Sequence, residues 1–140
     1  MILVDVGVWL AAIWGGHAHH RVAERWFDEQ TGDLLLCRVT QTSLLRLVTN
    51  QAIMGDDVLT RGSAWQIVDQ LWSDDRILWA DEPPHLEAVF RAISARDDRG
   101  HKLWTDDYLA AFAQASGAAL ATMDTKLKAR YPSVRVQPLV

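Results

Sequence analysis

Three aspartates in this sequence stand where a carboxylate can do chemistry. The chain opens Met1-Ile2-Leu3-Val4-Asp5, an apolar run too short for anything but a buried strand, and it ends abruptly on an acid. The pattern recurs at Ala118-Ala119-Leu120-Ala121-Thr122-Met123-Asp124, and between the two Leu103-Trp104-Thr105-Asp106-Asp107 starts an alanine-rich helix. In an open parallel α/β sheet, the carboxyl edge of the central strands is where ligands bind. Two such strands ending in Asp at one edge, with Asp106 opening an adjacent helix, would bring three carboxylates into one pocket. Like charges that close together raise one another's pKa and cost stability, so a cation usually neutralises them. An all-oxygen donor set favours Mg²⁺ or Mn²⁺ over zinc. A plainer account stands beside this one. Asp5 also suits the cap of the helix that follows, and Asp106 or Asp107 suits a helix N-terminus, each worth about 1 kcal/mol. One acid would satisfy the latter need.

The elements that must position these acids can be read from period and punctuation. Helices are expected over His19–Gln30, ended by Gly32; after Thr40 or Thr42 as cap, carrying Leu44, Leu45, Leu47 and Val48; over Leu59–Trp72; and after Pro83-Pro84, carrying Leu86, Val89, Phe90 and Ile93. Short apolar segments suited to buried strands lie at Ile2–Val4, Leu34–Cys37, Ile77–Trp79, Ala118–Thr122 and Val134–Gln137. Strands alternating with helices predict an α/β fold, a three-layer α/β/α sandwich around a mostly parallel sheet, in a single domain over residues 1–140.

Composition narrows the function. At 140 residues and 49% apolar content, the chain is long enough to bury a sizeable core. No apolar stretch approaches the roughly 20 residues of a membrane span and no basic-then-apolar leader opens the chain, so no membrane association and a cytoplasmic location are expected. The single cysteine, Cys37, lies in an apolar run and suits a buried, inert thiol. The net charge of −4 argues against a broad basic face for nucleic acid. It leaves open a nuclease whose bound cations supply the positive charge.

Val4-Asp5, Thr105-Asp106, Thr122-Met123-Asp124 and the closing Val134-Arg135-Val136-Gln137-Pro138 together resemble a PIN-domain ribonuclease. The order and spacing are most similar to the VapC toxins of type II toxin–antitoxin pairs, and the resemblance spans essentially the whole chain. Cys37-Arg38-Val39-Thr40-Gln41 and Leu44-Leu45-Arg46-Leu47-Val48-Thr49-Asn50 resemble one branch of that group. The resemblance implies a Mg²⁺- or Mn²⁺-dependent endoribonuclease that cleaves RNA by metal-activated water, often a homodimer, neutralised by a cognate antitoxin. Asp5, Asp106 and Asp124 match the family's acidic metal-site positions, and Thr105, Thr122, Ser43 and Asp107 are expected to support them. The chain departs from the family at Gly7, where many members carry asparagine, and near Ser43, where many carry glutamate. A lost ligand weakens cation binding, so a catalytically weak PIN-like module that binds protein or RNA is the alternative, and another metal-dependent phosphohydrolase a third.

Other residues weigh less. Trp26, Trp65 and Trp72 fall at helical spacing and are expected in the core. Trp9, Trp14 and Trp104 could pack in the core, form a groove for an antitoxin helix or stack on RNA bases. Arg38, Arg46, Arg96, Arg99 and Lys102 are the cations that could face an RNA strand. His17, His19 and His20 lack ligand partners at zinc spacing and read as a polar loop entering a helix. Neither a nucleophile elbow nor a glycine-rich phosphate loop is present in the sequence.

Overall fold

Apolar runs of three or four residues alternate with longer periodic segments, and each becomes a strand or a helix accordingly. The computed structural model describes residues 1–140. Its elements are β1 (Ile2–Val4), α1 (Val6–Ile13), α2 (His20–Glu29), β2 (Leu34–Leu36), α3 (Arg38–Val48), α4 (Gln51–Met54), a 3₁₀ turn (Gly55–Asp57), α5 (Arg61–Leu71), β3 (Ile77–Trp79), α6 (Leu86–Ser94), α7 (Trp104–Ser116), β4 (Ala119–Thr122), α8 (Leu127–Arg130) and β5 (Val136–Pro138). The five strands form one parallel sheet in the order β3-β2-β1-β4-β5. No helix is long and apolar enough to cross a membrane.

Alternation of side chains across the strands builds two apolar layers. Leu3, Leu35, Leu120 and Val136 pack on one face with Leu86 and Ile93 of α6 and with Leu109–Ala113 of α7. Val4, Leu34, Leu36 and Ile77 pack on the other with Val8 and Trp9 of α1, Leu44 and Val48 of α3 and Ala64 of α5. Helices on both faces of a parallel sheet make the expected α/β/α sandwich. Ala110, Ala111 and Ala113 are fully buried, and their small side chains let α7 lie close on the sheet. Gly117 ends α7 at φ 68°, a left-handed position that favours glycine, and Ala118 N–H then donates to Ala113 O at 2.9 Å.

The packing corrects several expectations. Of the readings open to Trp9 the core one holds, since it is 1% exposed and packs on Phe27 at a ring separation of 5.3 Å. Trp65 and Trp72 are 48% and 37% exposed. α5 turns Ala64 and Val68 inward, and a residue one step further on is rotated by about 100°, which carries Trp65 to the surface. Trp72 lies beyond the last turn of α5, edge-on to Trp79. Neither Thr40 nor Thr42 caps α3. The helix leaves β2 directly through Cys37, so both threonines fall inside it, and Cys37 is buried with Sγ 3.5 Å from Thr40 Oγ1. β5 starts two residues later than its apolar run suggests and ends on Pro138, which a sheet-edge strand tolerates.

Candidate active site

β1 lies at the centre of the sheet, with β2 on one side and β4 on the other, so strand order reverses there, the switch point at whose carboxyl ends open parallel sheets have their ligand crevice. Val4 pairs with Ala121, and the next residue on each strand is Asp5 and Thr122. Asp5 N–H donates to Ala121 O at 3.0 Å, which continues the ladder one step past the strand. The Asp5 carboxylate accepts from Val6 N–H at 2.7 Å and from the Thr122 hydroxyl at 3.0 Å. It therefore caps α1, as the plainer account of this residue expects, while lying at the carboxyl edge where the strand order reverses. Burial pushes its carboxyl above the usual aspartate range; the two hydrogen bonds oppose that shift and the Asp124 charge adds to it.

Asp106 lies in the first turn of α7, half-buried. Burial is again the main reason its carboxyl is raised, and the charges of Asp5, Asp124 and Asp107 push the same way. That coupling ties the four acids together electrostatically. Opposing it is Arg130, at the end of α8, whose Nη1 is 3.4 Å from Asp106 Oδ2. Sequence reasoning missed Arg130, because a four-residue helix leaves no periodic signal. Asp107 points elsewhere: it is buried and accepts from the Tyr131 hydroxyl. Burial and the Asp107 carboxylate hold the Tyr131 phenol well above its usual value, so it remains a protonated donor. Tyr131→Phe strands the Asp107 carboxylate and is expected to lower stability by about 2 kcal/mol, or roughly 6 °C in melting temperature. Differential scanning calorimetry checks this.

The remaining residues singled out in the sequence are spread around this edge. Thr122 is fully buried, and besides donating to Asp5 it accepts from Asp124 N–H at 3.0 Å, so it links the two strand-end acids. Asp124 is exposed, and its Oδ1 accepts from Lys126 N–H at 2.8 Å. Thr105 is exposed at the start of α7. Ser43 donates to Val39 O within α3 at 2.9 Å, which commits its hydroxyl to the helix backbone. Arg38 lies 4.5 Å over the Trp79 ring and binds Gln41, while Arg46 is exposed on α3. Trp14 donates from its ring to Asp57 at 2.8 Å, and Trp104 is 58% exposed. A Cβ at Gly7 would meet Met123 Cγ at 3.8 Å, an ordinary contact, so packing does not force glycine there.

A sequence profile described as "PIN domain" matches residues 2–131. The chain belongs to the PIN-domain family. It is 44% identical over 131 residues to ribonuclease VapC41 of Mycobacterium tuberculosis, covering 89% of this chain and 90% of that protein. Its fold is also that of M. tuberculosis VapC20, described as a sarcin–ricin-loop-cleaving toxin (TM-score 0.70, 17% identity, 99% and 100% of the two chains covered). A third similar structure is VapBC2 of Rickettsia felis bound to a DNA fragment from its promoter (TM-score 0.68, 14% identity, 99% and 98% covered).

The PIN-domain acids suit a hard, hydrated cation better than a tightly caged one. No three carboxylate, imidazole or thiolate groups of this PIN domain close into a set that could hold an ion by themselves. Magnesium seldom needs that, since it keeps several waters and binds through one or two carboxylates plus substrate phosphate. Asp5 and Asp106 are two half-buried carboxylates whose ionisation burial opposes, the charge of Asp5 adds to that cost at Asp106, and only Arg130 is in ion-pair contact with either. A divalent cation would relieve that cost, and the donor chemistry fits one.

Proposed function

We propose that this PIN domain is a divalent-cation-dependent endoribonuclease and the toxin of a toxin–antitoxin pair. The observation that supports the reading is that Asp106 feels the charges of Asp5 and Asp124, which Thr122 links by hydrogen bonds, at the strand-order reversal of a parallel sheet. Asp5 and Asp106 would hold Mg²⁺ or Mn²⁺, and Asp124 would add negative charge nearby. Such an ion, when bound, supplies positive charge against phosphate oxygens and acidifies water for attack on a phosphodiester. Asp5 and Asp106 fix where that charge sits. Thr122, donating to Asp5, keeps the carboxylate turned toward the crevice. Arg130, drawn to Asp106 here, is within reach of a phosphate that enters the same edge.

Similarity to a ribonuclease at 44% identity supports RNA as the substrate class. The fold shared with VapBC2 supports a cognate antitoxin as partner. Cellular RNA as substrate implies a cytoplasmic protein, and a homodimer is the expected assembly. The competing reading, a binding module with little activity, draws on Gly7, on Ser43 in place of a carboxylate and on the open donor set. One experiment separates them: incubation of the purified protein with a mixed cellular RNA pool in Mg²⁺, Mn²⁺ or EDTA. The expected result is cutting at discrete positions with either metal and none in EDTA. Intact RNA in both metals, with a folded protein, would favour the binding module.

A further inference from the structure

A cleft of about 520 Å³ opens between the loop joining α6 to α7, the first turn of α7 and the end of α8. Its wall carries Arg96, Arg99, His101, Trp104 and Arg130. In a chain of net charge −4, three guanidinium groups in one cleft are a local reversal of sign. Only Arg130 of the three has a carboxylate within ion-pair distance, and that carboxylate is Asp106. The two acids that also line the cleft accept from neutral donors, Asp98 from Gly100 N–H at 2.8 Å and Asp107 from the Tyr131 hydroxyl, so three guanidinium groups face two carboxylates there and the lining stays basic. The loop is tightly folded, since a Cβ at Gly100 would come within 2.7 Å of Leu103 Cδ1.

Trp104 is the most exposed large apolar residue in the molecule, at 58%, yet it is not loosely held. Phe90 meets its ring edge-on at 6.3 Å and 78°, and Phe90 is itself braced by Tyr108 at 5.6 Å. An indole fixed by its neighbours and open to solvent, two residues before Asp106 and beside unpaired cations, has the makings of a base-stacking platform. Aromatic stacking needs a free base face, which a paired duplex does not offer.

We propose that this cleft seats an unpaired RNA nucleotide next to the scissile phosphate, its base on Trp104 and its backbone on Arg96 and Arg99, with Arg130 joining the cleft to the Asp5–Asp106 edge. The assignment rests on the ribonuclease reading and names where its substrate lies. The test uses the Asp5→Asn protein, in which cutting is expected to be slowed enough for binding to be read, and a short fluorescein-labelled unstructured RNA followed by anisotropy in Mg²⁺. Trp104→Ala is expected to weaken binding about tenfold or more, and Trp104→Phe to recover much of that loss because a ring remains. Arg96→Gln with Arg99→Gln should flatten the slope of log K against log salt by about 1.4, two single-strand phosphate contacts at roughly 0.7 each. In the cleaving parent, Trp104→Ala should raise KM and leave kcat near its starting value. Unchanged affinity and salt slope in these variants, with the parent still cutting RNA, would overturn the cleft and leave the ribonuclease reading intact. Variants that bind RNA normally but lose a co-expressed antitoxin would overturn it in favour of a protein contact. A parent protein that neither binds nor cuts RNA would remove both the ribonuclease reading and this inference.

Discussion

Asp5→Asn is expected to lower RNA cleavage by on the order of a thousand-fold while leaving the protein folded. The size follows from the several kcal/mol a positioned cation contributes to stabilising charge in phosphoryl chemistry, at about 1.4 kcal/mol per factor of ten. Asparagine has the shape of aspartate and can still accept from Val6 N–H, so the cap on α1 survives. What it loses is the charge, and with an amide NH₂ in place of Oδ2 the Thr122 hydroxyl must accept from residue 5 instead of donating to it. Burial already holds the Asp5 carboxyl above its usual range, so the ionised form costs the metal-free protein some stability, and the neutral variant should melt no lower than the parent in EDTA. Initial cleavage rates in Mg²⁺, paired with melting curves in EDTA, check both halves. A variant that cuts RNA at the parental rate would remove Asp5 from the cation site and leave Asp106 and Asp124 to hold it.

That Asp5 could be singled out from sequence reflects how strongly a buried parallel strand is marked. Ile2–Val4 and Ile77–Trp79 are continuous apolar runs with sharp polar ends, and both strands fall where their runs do. The acids at strand ends inherit that precision, because the pairing of Val4 with Ala121 fixes Asp5 beside Thr122. Features decided by contacts between distant segments were less legible. Arg130 becomes a partner of Asp106 only because the fold brings the end of α8 within side-chain reach of the first turn of α7, and nothing in Leu127–Arg130 announces a site. Asp106 and Asp107 look alike in sequence, yet helical rotation sends one toward the crevice and the other to Tyr131. Trp9 and Trp65 show the same limit for large apolar residues. The choice between core and surface rests on which helical stripe faces the sheet, and α1 and α5 resolve it in opposite ways.

The second large effect is a melting temperature that depends on cation and pH together. At a cation concentration a hundredfold above its dissociation constant, binding to the folded state alone adds about 2.7 kcal/mol, or roughly 5–10 °C for a chain of this size. Asp106→Asn should abolish most of that rise. The pH dependence carries opposite signs with and without metal. Asp5 and Asp106 both have carboxyls raised in the folded protein, so between the usual aspartate value and the raised one the native state binds more protons than the unfolded chain. Their contribution in EDTA therefore falls as pH rises through that window and stays unfavourable above it. A divalent cation binds the ionised pair, so its stabilisation grows as pH rises through the same window. Melting curves in EDTA and in Mn²⁺, from the usual aspartate range up to neutral pH, should spread apart as pH increases. Curves that stay parallel, or a parent that ignores millimolar metal at neutral pH, would count against a shared cation at this edge. Arg130→Gln sharpens the comparison: without the guanidinium at Asp106, the cation meets no internal competitor, and the same rise should require less metal.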